Sequence, residues 1–329
     1  MKTNIGKTMN RRFSAQFTNT ATQRGFLNLP NDNVIKTIAV ATLLCLACSI
    51  VVSVTAIALK PKQIENKLVD KKLNILSVAG LSDSTKPVDE LFEQIESQVV
   101  DLASGEVVTH IDAATYDQRK ASKDPDMNVL LTAAQDKARL KTRAKYANVY
   151  LLPSDTGIEK IILPVKGYGL WSTMYGFIAL DGDANTVSGI TFYDHGETPG
   201  LGGEIENAKW QQSWAGKKLI DDSGEIALQV IKGAVNPATS SPEYKIDGLT
   251  GATLTSNGVD NMIKFWMGAD GFGPYLERYR AGNLEQGLIE QGSIDQGSIE
   301  SSSSAQVAPI QSVINTEQVI SSVSDQVST

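Results

Sequence analysis

The chain has 329 residues, a formal net charge of −7, two histidines and two cysteines. That length allows one or two ordinary domains, and the acidic balance argues against a nucleic-acid-binding surface. His110 and His195 lie far apart, and Cys45 and Cys48 both sit in the longest apolar run, so the hydrophilic part holds no His/Cys cluster of the kind that binds zinc.

In chain order, residues 1–36 form a basic arm, with Lys2, Lys7, Arg11, Arg12, Arg24 and Lys36 against Asp32. Residues 37–59 then carry no charge. As a helix they would extend about 34 Å, enough to cross the hydrocarbon layer of a lipid membrane. This reads as a retained anchor; a cleaved signal peptide would begin earlier and have a shorter apolar core. Cys45 and Cys48 within it read as small hydrophobes rather than as a redox or ligand pair. Lysines flank both ends, so the positive-inside rule is a weak guide. A large domain after a first span predicts the N-terminus in the cytoplasm and the bulk of the chain outside it.

Residues 60–88 read as a stalk or linker. Ile64, Leu68 and Leu76 fall close to helical spacing among Lys and Glu, and Gly80 ends the run. A domain is expected over 89–280. Leu91, Ile95 and Val99 at four-residue steps predict a helix from 89 to about 103. Leu130, Leu131, Ala134 and Ala138 predict a half-buried helix after Pro125, and the charges of 112–148 are expected to form a solvated face. Strands are expected at 161–165, 174–180, 187–193 and 226–235, with glycine-rich connections between them. Residues 281–329 form an acidic Gln/Ser-rich tail, too poor in apolar residues to offset its ordering entropy, and disorder is expected there.

The stretch 247–259 stands out for its crowding of Gly248, Gly251 and Gly258 with Thr250, Thr253, Thr255 and Ser256. Val259, Met262, Ile263 and Trp266 then follow at the spacing of one helix face, with Ser256 or Asn257 as the expected N-cap. A Gly/Thr turn delivered onto a helix start favours an anion, most often phosphate. It is no nucleotide P-loop, because the lysine after the last glycine is absent. Such a turn binds phosphate through backbone N–H alone or is joined to it through a hydroxyl oxygen.

A second loop, 195–204, offers glycine backbone for close approach of a flat ring, Glu197 and Thr198 as polar handles, and Leu201 as an apolar lid beside Gly200. Trp171 adds an aromatic face. Its glycines, and those of Gly167-Tyr168-Gly169, are misplaced for a dinucleotide fingerprint, and no serine sits in a nucleophile elbow. Together the two loops suit a cofactor with a planar ring and a phosphate. FMN fits best; haem and pyridoxal phosphate fit less well, the latter because no lysine is marked for a Schiff base.

At these residues the chain resembles a known family. Thr250-Gly251-Ala252-Thr253 matches an S/T-G-A-T flavinylation motif with Asp247 ahead of it and Leu254 and Thr255 behind. His195-Gly196-Glu197-Thr198-Pro199-Gly200-Leu201-Gly202-Gly203 is similar to the companion signature of the same FMN-binding domain. The whole resembles the C subunit of the Na+-translocating NADH:quinone reductase. The resemblance implies an α+β fold: a single N-terminal transmembrane helix, then an extracytoplasmic domain with a twisted, mainly antiparallel sheet and flanking helices. It further implies FMN joined by a phosphoester to Thr253, installed from FAD by a flavin transferase that uses Mg2+ and recognises the motif including Asp247. Trp171, Leu201, Glu197 and Thr198 are then expected around the ring. Its implied setting is a bacterial inner membrane with the flavin domain periplasmic. There the chain would relay electrons to the FMN-bearing B subunit of a complex that oxidises NADH, reduces ubiquinone and pumps Na+. The alternatives are the G subunit of an Rnf-type electron-transport complex and an unflavinated membrane-anchored binding or assembly module.

Overall fold

The computed structural model describes residues 34–82 and 85–282; the basic arm before Val34 and the tail beyond Gly282 lie outside them. The chain forms two units, one ending at Val69 and the other beginning at Asp70. Helix α1, Val34–Val78, starts in the first. It is the one helix among the described residues long and apolar enough to cross a membrane, and none of its apolar segment is buried by protein. Cys45 and Cys48 are both exposed on it.

The second unit is built on a six-stranded sheet. Its strands are β1 (Glu96–Asp101), β2 (Val107–Val108), β5 (Tyr146–Ser154), β6 (Gly157–Tyr168), β7 (Thr173–Asp181) and β8 (Val187–Asp194), in the order β2-β1-β5-β6-β7-β8. All its pairings are antiparallel. Alternate side chains of a strand point to opposite faces, and both faces are covered here, which explains the unbroken apolar runs. Ile161, Leu163 and Val165 enter the larger core with Ile178 and Leu180, while Ile162, Phe177 and Ala179 enter a smaller one. The smaller core is closed by the end of α1, through Ile75, Leu76 and Val78, and by Leu91 of α2 (Val88–Phe92).

The larger core is closed by α5, Thr253–Trp266, whose Val259, Met262, Ile263 and Trp266 are all buried as the helical spacing predicts. The Trp266 indole N–H donates to the Lys166 carbonyl on β6 at 2.7 Å, locking the helix across the sheet. The remaining elements are α3 (Gln118–Ala121), the hairpin β3 (Asn128–Leu130) and β4 (Thr142–Ala144), α4 (Ala208–Gln212), the parallel pair β9 (Gln229–Val230) and β10 (Lys245–Ile246), and α6 (Gly273–Arg280).

The structure corrects several expectations. The helix expected from 89 to about 103 stops at Phe92, and the chain turns into β1, because Val99 and Val100 pair with Asn148 and Ala147 on β5. Leu91, Ile95 and Val99 are buried as their spacing suggests, but sheet pairing overrides the helical period. No helix follows Pro125 in the stretch up to β4. Residues 128–130 form β3, whose Leu130 is 78% exposed, and Asp136 holds the next turn by accepting from the N–H groups of Leu140 and Lys141. The expected strand at 226–235 shrinks to Gln229–Val230.

Nor are the charges of 112–148 all solvated. The Arg119 guanidinium lies 3.4 Å from the Tyr175 ring centroid and pairs with Asp194 at 2.7 Å, and Arg143 is buried. The fold class itself is as expected: an apolar N-terminal helix, then a mainly antiparallel sheet with helices packed on it.

Candidate functional site

α5 begins at Thr253, ahead of the expected cap. Ala252 takes the N-cap position with no side-chain cap, and Thr253 is the first helical residue. Ser256, the expected cap, instead turns its hydroxyl back to accept the Leu249 N–H at 2.9 Å. Gly251 makes the approach possible with φ +76°, a left-handed conformation a side chain would resist. Among the described residues, no protein acceptor takes the N–H groups of Thr253, Leu254 or Thr255. A helix start leaves such groups facing outward with the positive end of the helix dipole.

The hydroxyls of this turn divide sharply. Thr250 and Thr253 are exposed and make no side-chain hydrogen bond among the described residues, whereas Thr255 is 1% exposed and donates to Glu197 Oε2 at 2.6 Å. Leu254, beside Thr253, is 57% exposed. Asp247 anchors the approach to the turn. Its carboxylate accepts the Val235 N–H at 2.7 Å, and its carbonyl accepts the Trp210 indole N–H at 2.8 Å.

Glu197 is the residue on which three segments meet. It is 5% exposed, and its carboxylate accepts the backbone N–H groups of Leu170, Trp171 and Ser172 at 3.0–3.2 Å as well as the Thr255 hydroxyl. Burial pushes its carboxyl pKa up, but the Thr255 hydroxyl and these three N–H groups favour the charged form more strongly, so it titrates below the ordinary glutamate range. Its oxygens are thus engaged by protein donors. The rest of the 195–204 loop is held in turn. Thr198 offers its carbonyl to Leu201 and Gly203, and His195 lies between the Glu197 N–H, which its Nδ1 accepts, and Glu206 at 2.9 Å.

The two sequence motifs therefore come together, through the Glu197–Thr255 hydrogen bond and through Leu201, whose Cδ2 lies against Gly251. Gly200 has open space around it, but Gly202 does not: a Cβ there would meet Thr255 Oγ1 at 2.5 Å. Around this junction the chain leaves large apolar side chains in solvent, with Trp171 65% and Leu201 45% exposed. Helix-start N–H groups and a threonine hydroxyl without partners among the described residues, beside exposed apolar side chains, fit a cofactor with a phosphate tail and a flat ring. Sequence reading missed the keystone role of Glu197, as well as Ser172, whose hydroxyl accepts the Gly196 N–H at 2.6 Å. The loop motif marks Glu197 but not its donors, and Ser172 carries no local signal, since both act across loops distant in sequence.

Comparisons with known proteins bear on this geometry. Residues 169–268 match the family model described as an FMN-binding domain. The chain is 50% identical over 255 residues to the C subunit of the Na(+)-translocating NADH-quinone reductase of Pseudomonas aeruginosa, covering 76% of this chain and 98% of that one. It is 49% identical over 262 residues to the corresponding C subunit of Yersinia pestis, covering 78% and 97%. The fold is similar to the crystal structure of Shewanella oneidensis NqrC, with a TM-score of 0.61 and 31% identity over 66% of this chain and 99% of that one. It is also similar to the crystal structure of the C subunit of the reductase from Parabacteroides distasonis, with a TM-score of 0.52 and 29% identity over 66% of this chain and 96% of that one. Relatives this similar, matched over nearly their full length, show that the chain belongs to the family of C subunits of the Na(+)-translocating NADH-quinone reductase.

Proposed function

We propose that this chain is the covalent-FMN electron carrier of a membrane complex that oxidises NADH, reduces ubiquinone and moves Na+, with the cofactor joined by a phosphoester to Thr253. The observation that carries the reading is the placement of Thr253: exposed, first in α5, with its hydroxyl and the backbone N–H groups beside it unpaired among the described residues. Attachment needs only what the turn offers. The Thr253 oxygen takes over the bond to the FMN phosphorus of FAD, AMP leaves, and the hydroxyl proton is released. A flavin transferase with Mg2+ serves as the catalyst. The N–H groups of Thr253, Leu254 and Thr255 hold the phosphate charge, while Thr250, Gly251 and Ala252 shape the turn the transferase reads and Asp247 fixes its entry.

FMN, when bound, supplies reversible one- and two-electron redox chemistry. The chain's residues set where the ring lies. Trp171, Leu201 and Leu254 offer apolar surface, Gly200 leaves room, and the exposed Thr198 hydroxyl is a polar contact. A covalent tether keeps the ring at high effective concentration for partners. The chain would stand between NADH oxidation on a sister subunit and the FMN of the B subunit. The uncharged part of α1 suits an anchor in membrane lipid, with the N-terminus cytoplasmic and the second unit periplasmic, and offers no acidic ion path.

The test is flavin fluorescence of the denatured polypeptide after co-production with the transferase. Emission that stays with the wild-type band and vanishes in Thr253→Ala supports the reading; emission retained in that variant overturns it.

A further inference from the structure

Arg139 lies far from both motifs in sequence and outside residues 169–268, which the FMN-binding family model matches. Its backbone is left-handed, with φ 54°, a conformation that residues with a side chain resist. Asp136 enforces it by accepting the N–H groups on its far side, Leu140 at 2.6 Å and Lys141 at 2.9 Å. On its near side the Ala138 carbonyl accepts the Tyr168 N–H at 2.9 Å. The strained loop thus delivers the Arg139 side chain to the end of β6. There Nη2 donates to the Gly169 carbonyl at 2.6 Å and to the Tyr168 carbonyl at 3.3 Å. The guanidinium sits 4.9 Å from the Tyr168 ring centroid, and the Tyr168 hydroxyl donates to the Trp171 carbonyl at 3.2 Å.

On the other side of the same turn, Glu197 receives the N–H groups of Leu170, Trp171 and Ser172. The turn's carbonyls meet a cation and its amides meet an anion, and charge-assisted hydrogen bonds are the stronger kind. With its backbone fixed from both sides, the turn presents outward chiefly the side chains of Leu170 and Trp171.

We infer that Arg139 is a positioning residue of the flavin site: with Glu197 it clamps the turn 168–172 and so fixes how Trp171 meets the ring. The inference rests on the proposed flavin attachment. Arg139 acts through Trp171 and does not itself touch the cofactor.

The experiment uses the full-length chain co-produced with the transferase and purified in detergent. Amide exchange across 169–173 should quicken roughly tenfold in Arg139→Ala, as expected for loss of the Arg139 hydrogen bonds to the Gly169 and Tyr168 carbonyls, with partial rescue in Arg139→Lys. In the folded wild type Trp171 should quench the fluorescence of the attached flavin, and Arg139→Ala should lose that quenching. The fluorescence should show no further change when Arg139→Ala is added to Trp171→Leu. Unchanged exchange, unchanged quenching, or an equal effect in the Trp171→Leu background would each overturn the clamp. If Arg139→Ala does not fold, Arg139→Lys alone decides: faster exchange and weaker quenching than wild type support the clamp, and wild-type values overturn it. A wild-type chain without covalent flavin would instead overturn the proposed function, and the role of Arg139 with it. Flavin that is loaded but insensitive to Arg139 would overturn this inference alone.

Discussion

Thr253 and Thr255 stand two residues apart on α5, one exposed with its hydroxyl unengaged among the described residues, the other buried and bonded to Glu197. The outward face of this helix start and the turn before it, with Thr250, Thr253 and Leu254, contributes little to holding the fold. The inward face, with Ala252, Thr255, Ser256 and Val259, ties the helix to the 195–204 loop and to the larger core. Identical side chains thus take opposite parts according to the face they occupy. Stability is concentrated on one side, and chemistry is left available on the other.

The comparison can be broken most sharply at the outward face. Thr253→Ala is expected to remove covalent flavin completely while changing stability by no more than about 0.5 kcal/mol, as for a surface substitution; flavin loading and urea titration of the full-length chain in detergent measure the two together. At the inward face the balance reverses. Glu197→Ala strands three backbone N–H groups and a hydroxyl in a buried place, and should cost roughly 3 kcal/mol or more in the same titration. Thr255→Val removes one of the donors to Glu197 and should cost about 1–3 kcal/mol, with Thr253 still able to carry flavin.

Acid sharpens the contrast further. Because Glu197 titrates below its ordinary range, the unfolded chain takes up its proton first. The stabilisation is therefore full above the ordinary glutamate value of about 4.3 and fades as pH falls through the lower folded value. Glu197→Gln should lack that component, so its stability should fall less steeply on acidification than that of wild type. The smallest effect is expected at Thr250→Ala, an exposed hydroxyl with no partner among the described residues, within about 0.5 kcal/mol by urea titration.

The two glycine-rich motifs were legible because each is local. Hydroxyls and glycines at short spacing before an apolar helix face mark a turn leading into a helix, and the buried positions of α5 follow its helical period. The strands β6, β7 and β8 were legible for a similar reason, as apolar runs bounded by turn residues. β1 was not, since Leu91, Ile95 and Val99 satisfy a helical period that sheet pairing with β5 then overrides. The hairpin of β3 and β4 was missed because small alanines imitate an apolar stripe.

Glu197 was visible as a polar residue in the right loop, but its four donors come from residues 25 to 58 positions away. Arg119 and Arg139 were hidden for the same reason. A charge in a polar segment looks solvated until the fold brings aromatic rings and carbonyls to it.

The central claim is tested most directly by intact-mass and peptide mass spectrometry of the natively produced, membrane-extracted chain. The expected result is one FMN joined with loss of water, located on the peptide that contains Thr253. A chain whose Thr253 peptide is unmodified in an active complex would contradict it.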